Sequence, residues 1–269
     1  MNINPTIVMG ILNVTPDSFA DGGRHFDFTK AISRSETMIN EGVDIIDVGG
    51  ESTRPGAERI SEEVERGRVI PVITELKKLG ATISIDTMRA KIANEAIKAG
   101  ASYINDVSGG LADPEMAKLV VANPQVQYIA MHWRAHSKNM QNLANYQDVA
   151  REVKDELQDR IDTLITAGAD PDQLIIDPGL GFAKTGEHNW EILQNLDRLA
   201  LLGFPILIGA SRKRFLGELT NTTDPDDREA ASIAITSLVA KTGVWGVRTH
   251  SVKPHKDAIA AVSAMGRNK

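Results

Sequence analysis

Polar and charged residues that can do chemistry recur at one kind of place in this sequence, directly after a short apolar run. In chain order these residues are Asn13, Asp47, Asp86, Asn105, His132, Asp177, Ser211 with Lys213, and Arg248 with His250. Helix caps and turns account for a single aspartate or asparagine at such a place. They do not account for carboxylates, amides and cations at all eight places, so we expect these side chains to form a functional site.

The first predicted pocket reads the hydrogen-bonding edge of a flat heterocycle, and its residues are Asp86, Asn105, Asp177 and Lys213. A carboxylate accepts two N–H bonds from an amino-pyrimidinone edge, an amide both donates and accepts, and an ammonium donates to a ring carbonyl. A site of this kind rejects analogues that lack a partner, because a buried polar group left unpaired costs about 1 to 3 kcal/mol.

The second predicted pocket binds a phosphate or pyrophosphate group. Its cations are Arg54, Lys213, Arg248 and His250. The segment GASRKRFLG (209–217) adds a predicted helix N-terminus, whose amide groups favour anions. Within this segment we expect Lys213 to point inward, and we expect Arg212 and Arg214 to form a solvated charged face.

Two loops rich in glycine and proline follow the first two apolar runs. They are NVTPDSFADGG (13–23) and GGESTRPGAE (49–58). Glycines permit loop motion and prolines limit it, and Phe19 with Pro55 are placed to shield a reacting centre from water. We therefore expect both loops to cover the mouth of the site, although the composition also suits ordinary surface loops.

Glycines mark the boundaries of the elements that must position these residues. A glycine just past a helix adopts the left-handed conformation at little cost, so a glycine before an apolar run indicates a helix end and a strand start. Six glycines stand at such places: Gly42, Gly80, Gly100, Gly168, Gly203 and Gly243. Asn123 is expected to act in the same way. With the first run, TIVMGIL (6–12), the sequence predicts eight strands.

Amphipathic helices separate the predicted strands. Apolar residues recur every three or four positions in two of them, at Val149, Val153, Leu157, Ile161, Leu164 and Ile165, and at Phe28, Ala31, Ile32, Met38 and Ile39. The eighth helix is expected from about Pro254 to Ala264. Eight βα units in roughly 250 residues are typical of a TIM barrel, so the predicted fold is an α/β TIM (β/α)8 barrel with a single domain, residues 1–269. An open doubly wound sheet is the alternative, but the first strand lacks the glycine pattern of a Rossmann fold.

Bulk properties exclude several classes of protein. The chain has 269 residues, a net charge of −6 and no cysteine. This charge argues against a general nucleic-acid or membrane-surface binder, and the lack of cysteine excludes disulfides and thiolate chemistry. The N-terminus has no signal-peptide pattern, and the longest apolar run is too short to span a bilayer. We therefore expect a cytoplasmic enzyme that acts on small molecules.

Several motifs together resemble dihydropteroate synthase over nearly the whole chain. In order, these motifs are GILNVTPDSFADGG, IIDVGGESTRPGA, ISIDT, INDVSGG, IIDPGLGFAKTGEHN, PILIGASRKRF and VRTH. The resemblance implies a TIM barrel that joins 6-hydroxymethyl-7,8-dihydropterin pyrophosphate to p-aminobenzoate. The products would be 7,8-dihydropteroate, for folate synthesis, and pyrophosphate. It also implies a homodimer formed through the last helices, and a p-aminobenzoate site for which sulfonamides compete.

The resemblance further implies a role for each site residue. The pterin would be bound by Asp86, Asn105, Asp177 and Lys213, with Met131 against its ring. The pyrophosphate would be bound by Asn13, Arg248 and His250, and Asn13 would also contact Mg²⁺. The p-aminobenzoate pocket would consist of Thr53, Arg54, Pro55, Phe19, Phe182 and Ser211, and Asp17 would belong to the moving first loop. The residues expected to act in catalysis are Asp17, Arg54, Lys213, Arg248 and His250.

The chemistry implied by the resemblance needs little acid or base help. Ionisation of the pterin methylene–oxygen bond expels pyrophosphate and leaves a delocalised cation, which the aniline nitrogen then attacks. One departure from the family pattern is Ser251, which follows His250 where an aspartate is usual. Trp133 is also uncommon in its place, and we expect it to affect a loop rather than the pterin site.

Other interpretations remain open at this stage. A methyltetrahydrofolate:corrinoid methyltransferase shares the pterin-binding barrel but needs no pyrophosphate site. A lyase would use Lys213 as a Schiff-base amine. A metal-dependent hydrolase would use His132 and His136 as ligands, although a surface or loop position is the preferred interpretation of that pair. Finally, a pterin-binding paralogue without turnover would explain Ser251.

Overall fold

Eight parallel strands form the centre of the molecule. The structure is a computed structural model that describes residues 6–15, 24–52, 56–136 and 138–266, except the side chains of residues 24–27. The strands are β1 (Ile7–Asn13), β2 (Ile45–Gly49), β3 (Ile83–Asp86), β4 (Tyr103–Asp106), β5 (Gln127–Met131), β6 (Leu174–Asp177), β7 (Leu207–Ile208) and β8 (Gly246–Thr249). Consecutive strands pair from β1 to β6, β1 also pairs with β8, and β8 pairs with β7. A bridge between Ile176 and Ile206 joins β6 to β7 and closes the barrel, which confirms the predicted fold.

Helices follow the strands around the outside of the barrel. They are α1 (Arg24–Asn40), α2 (Glu62–Lys78), α3 (Ala90–Ala99), α4 (Glu115–Ala122), α5 (Val149–Ala167), α6 (Gly186–Gln194), α7 (Leu196–Ala200), α8 (Arg214–Thr220), α9 (Glu229–Lys241) and α10 (Lys253–Gly266). The prediction of eight helices is therefore wrong in number, because the described chain has two helices after β6 and two after β7. Asn195 separates the first pair, and Asn221, in the left-handed conformation, ends α8.

The predicted helix ends are confirmed at the glycines and wrong at Asn123. All six glycines have positive φ, for example 108° at Gly168, where α5 ends. Asn123 instead has a φ of −129°. Its side-chain Nδ2 donates to the Leu119 carbonyl at 2.8 Å, so the amide side chain ends α4 and no left-handed backbone is needed.

The main core lies between the barrel and the surrounding helices. Five of the six periodic residues in α5 are buried there: Val149, Val153, Leu157, Ile161 and Leu164. Ile165 was expected to join them, but it is 36% exposed. The apolar residues predicted in α1 are buried or pack against the same core.

The inside of the barrel has an apolar layer of its own. It consists of Met9, Ile45, Ile129, Ile175 and Leu207. Because side chains alternate along a strand, the residue two positions later faces the interior again, closer to the carboxyl end. On β2 and β6 that residue is an aspartate, Asp47 and Asp177. The apolar layer therefore forms the floor beneath the polar residues at the mouth.

Candidate functional site

Arg248 joins two carboxylates at the mouth of the barrel. Its Nε donates to Asp47 Oδ2 at 2.6 Å, and its second terminal nitrogen donates to Asp86 Oδ2 at 2.7 Å. Asn105 Nδ2 donates to the same Asp47 oxygen at 2.9 Å. These four residues come from β8, β2, β3 and β4, so the barrel brings together residues that are up to 201 positions apart in the chain.

Asp47 is the central residue of this cluster, although the sequence predicted only its place among the strand-end residues and no specific contact for it. It is fully buried, and its Oδ1 has no hydrogen-bond partner among the described residues. A buried aspartate needs partners for both oxygens, so an unpaired one facing a polar cluster indicates a place for a ligand donor or water. The available sequence signal was its inward position, two residues after Ile45 on the same strand.

Asp177, Lys213 and Arg248 surround Gly209. A methyl group at this glycine would lie 3.7 Å from Asp177 Oδ2, 3.8 Å from Lys213 Nζ and 3.9 Å from Arg248 Cβ. Gly49 has a similar place, since a methyl group there would lie 3.5 Å from both Asn13 Oδ1 and Asp86 Oδ2. The predicted pterin and pyrophosphate residues in the described chain therefore converge on one mouth.

An apolar wall stands beside the charged groups. Met131, Met88 and Val107 form a small buried cluster, against which the partly buried Phe182 packs. The Lys213 ammonium lies 5.0 Å from the centre of the Phe182 ring, within the range of a cation–π contact. A flat ring bound at the carboxylates would have Met131 on this wall, as the resemblance implies.

Ser211 and His250 form a hydrogen-bonded pair at the ends of β7 and β8. The His250 backbone N–H donates to Ser211 Oγ at 3.2 Å, and that hydroxyl lies 3.0 Å from His250 Nδ1. Because the hydroxyl accepts from the backbone, its own proton is best directed to Nδ1. In this tautomer the ring proton of His250 is on Nε2.

Burial shifts the pKa values of three ionisable groups at the mouth toward neutral pH. It raises the pKa of Asp86 to about 7, although Arg248 opposes this shift. Burial also raises the pKa of Asp177, against the effect of Lys213. The pKa of Lys213 is lowered to about 8, again by burial, while Asp177 opposes the change. Charge at this mouth therefore responds to pH and to any ligand that brings donors or negative charge.

Five predicted site residues lie outside the described residues. They are Asp17, Phe19, Thr53, Arg54 and Pro55. The structure consequently places the pterin and pyrophosphate residues, together with Phe182 and Ser211. The parts of the p-aminobenzoate pocket predicted on the first two loops remain predictions.

His132 does not face the mouth with the other strand-end residues. It is buried, with Nε2 2.9 Å from Glu156 and Nδ1 2.9 Å from Lys184, so a surface or loop position was wrong for it. His136 instead packs edge-on against Trp133 in the same loop, which agrees with a loop role for that tryptophan. The two histidines therefore do not form one metal site.

The two arginines that flank Lys213 differ in exposure and in partners. Arg214 is exposed and pairs with Glu218, as expected for a solvated residue. Arg212 was expected to be solvated as well, but it is only partly exposed and is held by Glu229 at 3.0 Å and by Asp226. Lys213 points inward, as predicted, and donates to the Leu180 carbonyl.

A cavity of about 380 Å³ lies at the opposite end of the barrel, between the start of β1 and α10. Its carboxylate, Asp44, already accepts from the Val8 backbone N–H at 2.7 Å and from Lys256 Nζ at 2.6 Å. TIM-barrel chemistry takes place at the carboxyl ends of the strands, so this cavity is not the candidate site.

Among the described helices, none has both the length and the apolarity that a bilayer crossing requires.

Comparison with known proteins defines first a class and then a family. A model of the family described as pterin binding enzyme matches residues 9–250. Dihydropteroate synthase of Mycobacterium leprae is 50% identical over 270 residues, which cover 98% of this chain and 95% of the relative. The chain therefore belongs to the dihydropteroate synthase family of pterin-binding enzymes.

Solved structures agree with this assignment. Xanthomonas albilineans dihydropteroate synthase with 4-aminobenzoic acid superposes with a TM-score of 0.93 at 39% identity, covering 100% of this chain and 96% of that one. A structure of the same enzyme in complex with 7,8-dihydropteroate gives a TM-score of 0.90 at 37% identity, with 100% and 97% covered. The similarity thus extends over the complete barrel.

Proposed function

We propose that this chain is a transferase of folate synthesis that makes 7,8-dihydropteroate from 6-hydroxymethyl-7,8-dihydropterin pyrophosphate and p-aminobenzoate. The observation that carries the proposal is the convergence of Asp86, Asn105 and Asp177 with Lys213 and Arg248 at one mouth. This arrangement offers hydrogen-bonding groups for a heterocycle directly beside cations for its leaving group. Family membership makes this reaction the expected use of such a site.

The pterin edge would bind to the acidic side of the mouth. Asp177 Oδ1 already accepts from the Gly179 backbone N–H at 2.7 Å, so its Oδ2, which faces Gly209, is the oxygen placed for a pterin donor. Asn105 is oriented by Asp47, and Asp86 by Arg248. Because these orienting bonds exist before substrate arrives, little side-chain ordering remains to be done on binding.

The leaving pyrophosphate would bind to the basic side of the mouth. Arg248 supplies a permanent positive charge, and its position between Asp47 and Asp86 raises its pKa further, although burial acts in the opposite direction. His250, oriented by Ser211, would donate from Nε2, and Asn13 would contact the anion from the end of β1. Stabilising charge where it develops is often the largest contribution to catalysis.

The donor set at the mouth suits Mg²⁺ bound together with the pyrophosphate. Asn13 Oδ1 lies beside Gly49 at the end of β1, and oxygen atoms are the ligands that Mg²⁺ prefers. Among the described residues no group of three histidine or acidic side chains is arranged to hold a metal. This fits an ion that keeps several waters and binds mainly through substrate phosphates. When bound, Mg²⁺ would neutralise charge on the departing group.

The reaction would proceed by ionisation followed by amine attack. Arg248 and His250 would hold the departing pyrophosphate, while Asp86 and Asp177 would favour the transient pterin cation. The aniline nitrogen of p-aminobenzoate would then attack the methylene carbon and release its proton. For p-aminobenzoate we propose Phe182 and Ser211, with Phe19, Thr53, Arg54 and Pro55 from loops that also include Asp17. Closure of these loops would keep water from capturing the cation.

The test of the proposal is a direct assay of both products. Purified protein is given the pterin pyrophosphate, p-aminobenzoate and Mg²⁺, and dihydropteroate and pyrophosphate are measured together. Equal release of the two products supports the proposal. Pterin binding without pyrophosphate release would indicate a paralogue without turnover or a methyltransferase-like barrel instead. Omission of Mg²⁺, with a chelator present, tests the metal requirement and is expected to lower the rate.

Assembly and location complete the proposal. We propose a homodimer formed through the last helices, since Leu238 on α9 and Met265 on α10 are 63% and 87% exposed. A contiguous apolar patch marks an interface, whereas apolar side chains exposed singly are normal, so these two residues locate the surface to be tested. Sedimentation at several protein concentrations tests this assembly, and a concentration-independent monomer would contradict it. A cytoplasmic location and a single domain over residues 1–269 stay predictions.

A further inference from the structure

The loop after β6 is held between two lysines. Residues 178–184 follow Asp177 on the way to α6, and they include Phe182. Lys213 donates to the Leu180 carbonyl from the mouth of the site. Lys184 Nζ donates to the Gly179 carbonyl at 3.1 Å and to the Phe182 carbonyl at 3.0 Å. The loop therefore closes around the ammonium group of its own last residue.

Lys184 is buried far more deeply than a lysine normally is. Only 4% of it is exposed, and lysines are almost never buried to this extent unless they are paired. Its third neighbour is His132 Nδ1, at 2.9 Å. Burial lowers the pKa of Lys184 well below its usual value, and the nearby Lys213 acts in the same direction. Its three neighbours, two carbonyl oxygens and one imidazole nitrogen, match the three N–H donors of an ammonium, so these contacts favour the protonated form.

The protonation of His132 follows from its other partner. Its Nε2 lies 2.9 Å from Glu156 Oε2. Although burial acts in the opposite direction, hydrogen bonds from His132 and Arg134 lower the pKa of Glu156 to about 2. Burial lowers the pKa of His132 to about 4, so the ring is neutral. Since an ionised carboxylate only accepts, Nε2 carries the proton, and Nδ1 accepts from Lys184.

The chain of contacts continues to the outside of the same loop. Arg134 pairs with Glu156 and lies 3.8 Å from the centre of the Tyr146 ring. The Tyr146 hydroxyl donates to the Ala183 carbonyl at 3.0 Å. Ala183 has a φ of 48°, which is unusual for a residue other than glycine and requires support from its surroundings. Lys184 and Tyr146 supply that support from two sides.

We propose that Lys184 is a positioning residue for the synthase reaction, and that His132 and Glu156 hold its ammonium in place. By fixing the Gly179 and Phe182 carbonyls, Lys184 sets three features of the site. These are the Gly179 N–H bond to Asp177, the Leu180 carbonyl that Lys213 contacts, and the direction of the Phe182 ring. This inference rests on the proposed function, because it assigns the loop to the binding of both substrates.

The first test replaces the buried ammonium with an apolar group of similar length. Lys184→Met should raise KM for the pterin pyrophosphate and for p-aminobenzoate by about tenfold or more, because small displacements of binding groups are costly. The matched control is Lys118→Met, which removes an exposed lysine on α4. A variant with wild-type KM values and only a lower content of active protein would show a merely structural role and overturn the inference.

Two substitutions at His132 test the chain of contacts without touching Lys184. Asparagine places an oxygen close to the position of Nδ1, so His132→Asn keeps an acceptor for the ammonium. His132→Leu removes it. We expect KM values near those of the wild type for the asparagine variant and raised values for the leucine variant. Equal KM values in the two variants would contradict the proposal, and this pair decides the question if Lys184→Met does not fold.

Amide hydrogen exchange supplies a readout that does not depend on activity. In the ligand-free protein, Lys184→Met should speed exchange of the Gly179 and Phe182 amides, which donate to Asp177 and to the Gly179 carbonyl. Exchange in α4 should not change. Unaltered loop exchange would overturn the inference even if the wild-type protein makes dihydropteroate. If the wild-type protein makes none, the proposed function fails instead, and the exchange result still reports on the loop.

Discussion

The inside of the barrel contains two regions that differ completely in chemistry, although the same strands build both. The floor consists of Met9, Ile45, Ile129, Ile175 and Leu207. Two positions after Ile45, Ile129, Ile175 and Leu207 stand Asp47, Met131, Asp177 and Gly209, respectively. On the other strands the mouth has Asp86, Asn105 and Arg248. A step of about 7 Å along a strand therefore separates hydrocarbon from charge.

This contrast shows what each region is for. The floor gains stability from burial of apolar area, with about 1.5 to 3 kcal/mol for each large side chain. The mouth gains little, because a buried ion pair often contributes no more than an apolar pair of the same shape. Apolar side chains would stabilise the mouth at least as well as its four charged groups do. The binding of a ligand therefore explains these charges better than stability does.

The largest expected effect comes from removal of the cation that joins the mouth together. Arg248→Ala should lower kcat by about 10³-fold, because the leaving pyrophosphate loses a preorganised positive charge. It should also destabilise the fold by about 3 kcal/mol, since Asp47 and Asp86 lose their partner while buried. Steady-state kinetics and urea unfolding measure the two effects. Arg248→Lys, which keeps the charge, is the control, and undiminished turnover by folded Arg248→Ala would contradict the assignment.

The next prediction tests the two regions on a single strand. Ile175→Ala should lower the free energy of unfolding by about 3 kcal/mol through a cavity in the floor, with KM unchanged. Asp177→Ala, two residues later, should abolish pterin binding with a smaller loss of stability. Calorimetry with 6-hydroxymethyl-7,8-dihydropterin and urea unfolding separate the effects. Unchanged pterin affinity in Asp177→Ala would end its assignment to the pterin edge.

The mouth should also respond to pH, whereas the floor should not. Pterin donors need an ionised Asp86, whose pKa is about 7, so affinity should fall as the pH drops through that value. Lys213 loses its proton as the pH rises through about 8, which should weaken its contact with the ring carbonyl. Affinity should therefore be highest between these values and fall by about tenfold per pH unit beyond either of them.

Single substitutions assign each side of this profile. Asp86→Asn should remove the part of the acid side near pH 7 and leave the part that comes from Asp177, whose pKa burial also raises. Lys213→Met should remove the alkaline side. The Ile175→Ala variant serves as the control, because its profile should follow that of the wild type. A profile that keeps both sides in both mouth variants would show that other groups control the pH dependence.

The sequence predicts the barrel and most of the mouth because both follow from local rules. Left-handed glycines end the helices, apolar runs form the strands, and the carboxyl ends of parallel strands meet at one edge. Asn123 does not have the left-handed conformation, because a side-chain hydrogen bond can also end a helix. Ile165 was predicted wrongly because the apolar stripe of α5 is wider than the face of the helix that is buried.

The contacts between distant side chains could not be predicted in the same way. His132 follows a strand as the mouth residues do, yet its ring contacts Glu156 and Lys184. The residues next to it in the sequence do not predict these contacts. Asp47 stood among the strand-end residues, but its central position depends on the partners that Arg248 and Asn105 supply. Such pairings depend on how the elements pack, and not on the pattern within any one of them.

The smallest expected effect concerns Ser251, where the family usually has an aspartate. Ser251 Oγ donates to Glu229 Oε1, and the same carboxylate lies 3.3 Å from His255 Nε2. The neighbouring His255 contributes most to lowering the pKa of Glu229 to about 2, so the carboxylate is ionised at neutral pH. Ser251→Asp would place a second negative charge beside it and should cost about 1 kcal/mol or less of stability.

Turnover of the Ser251→Asp variant should stay close to that of the wild type, because Glu229 already places a carboxylate beside this position. Ser251→Asn controls for size without charge, and urea unfolding with steady-state kinetics compares the three proteins. A large gain in turnover with aspartate would show that the missing carboxylate limits this mouth. Residue 251 would then belong to the functional residues of the mouth.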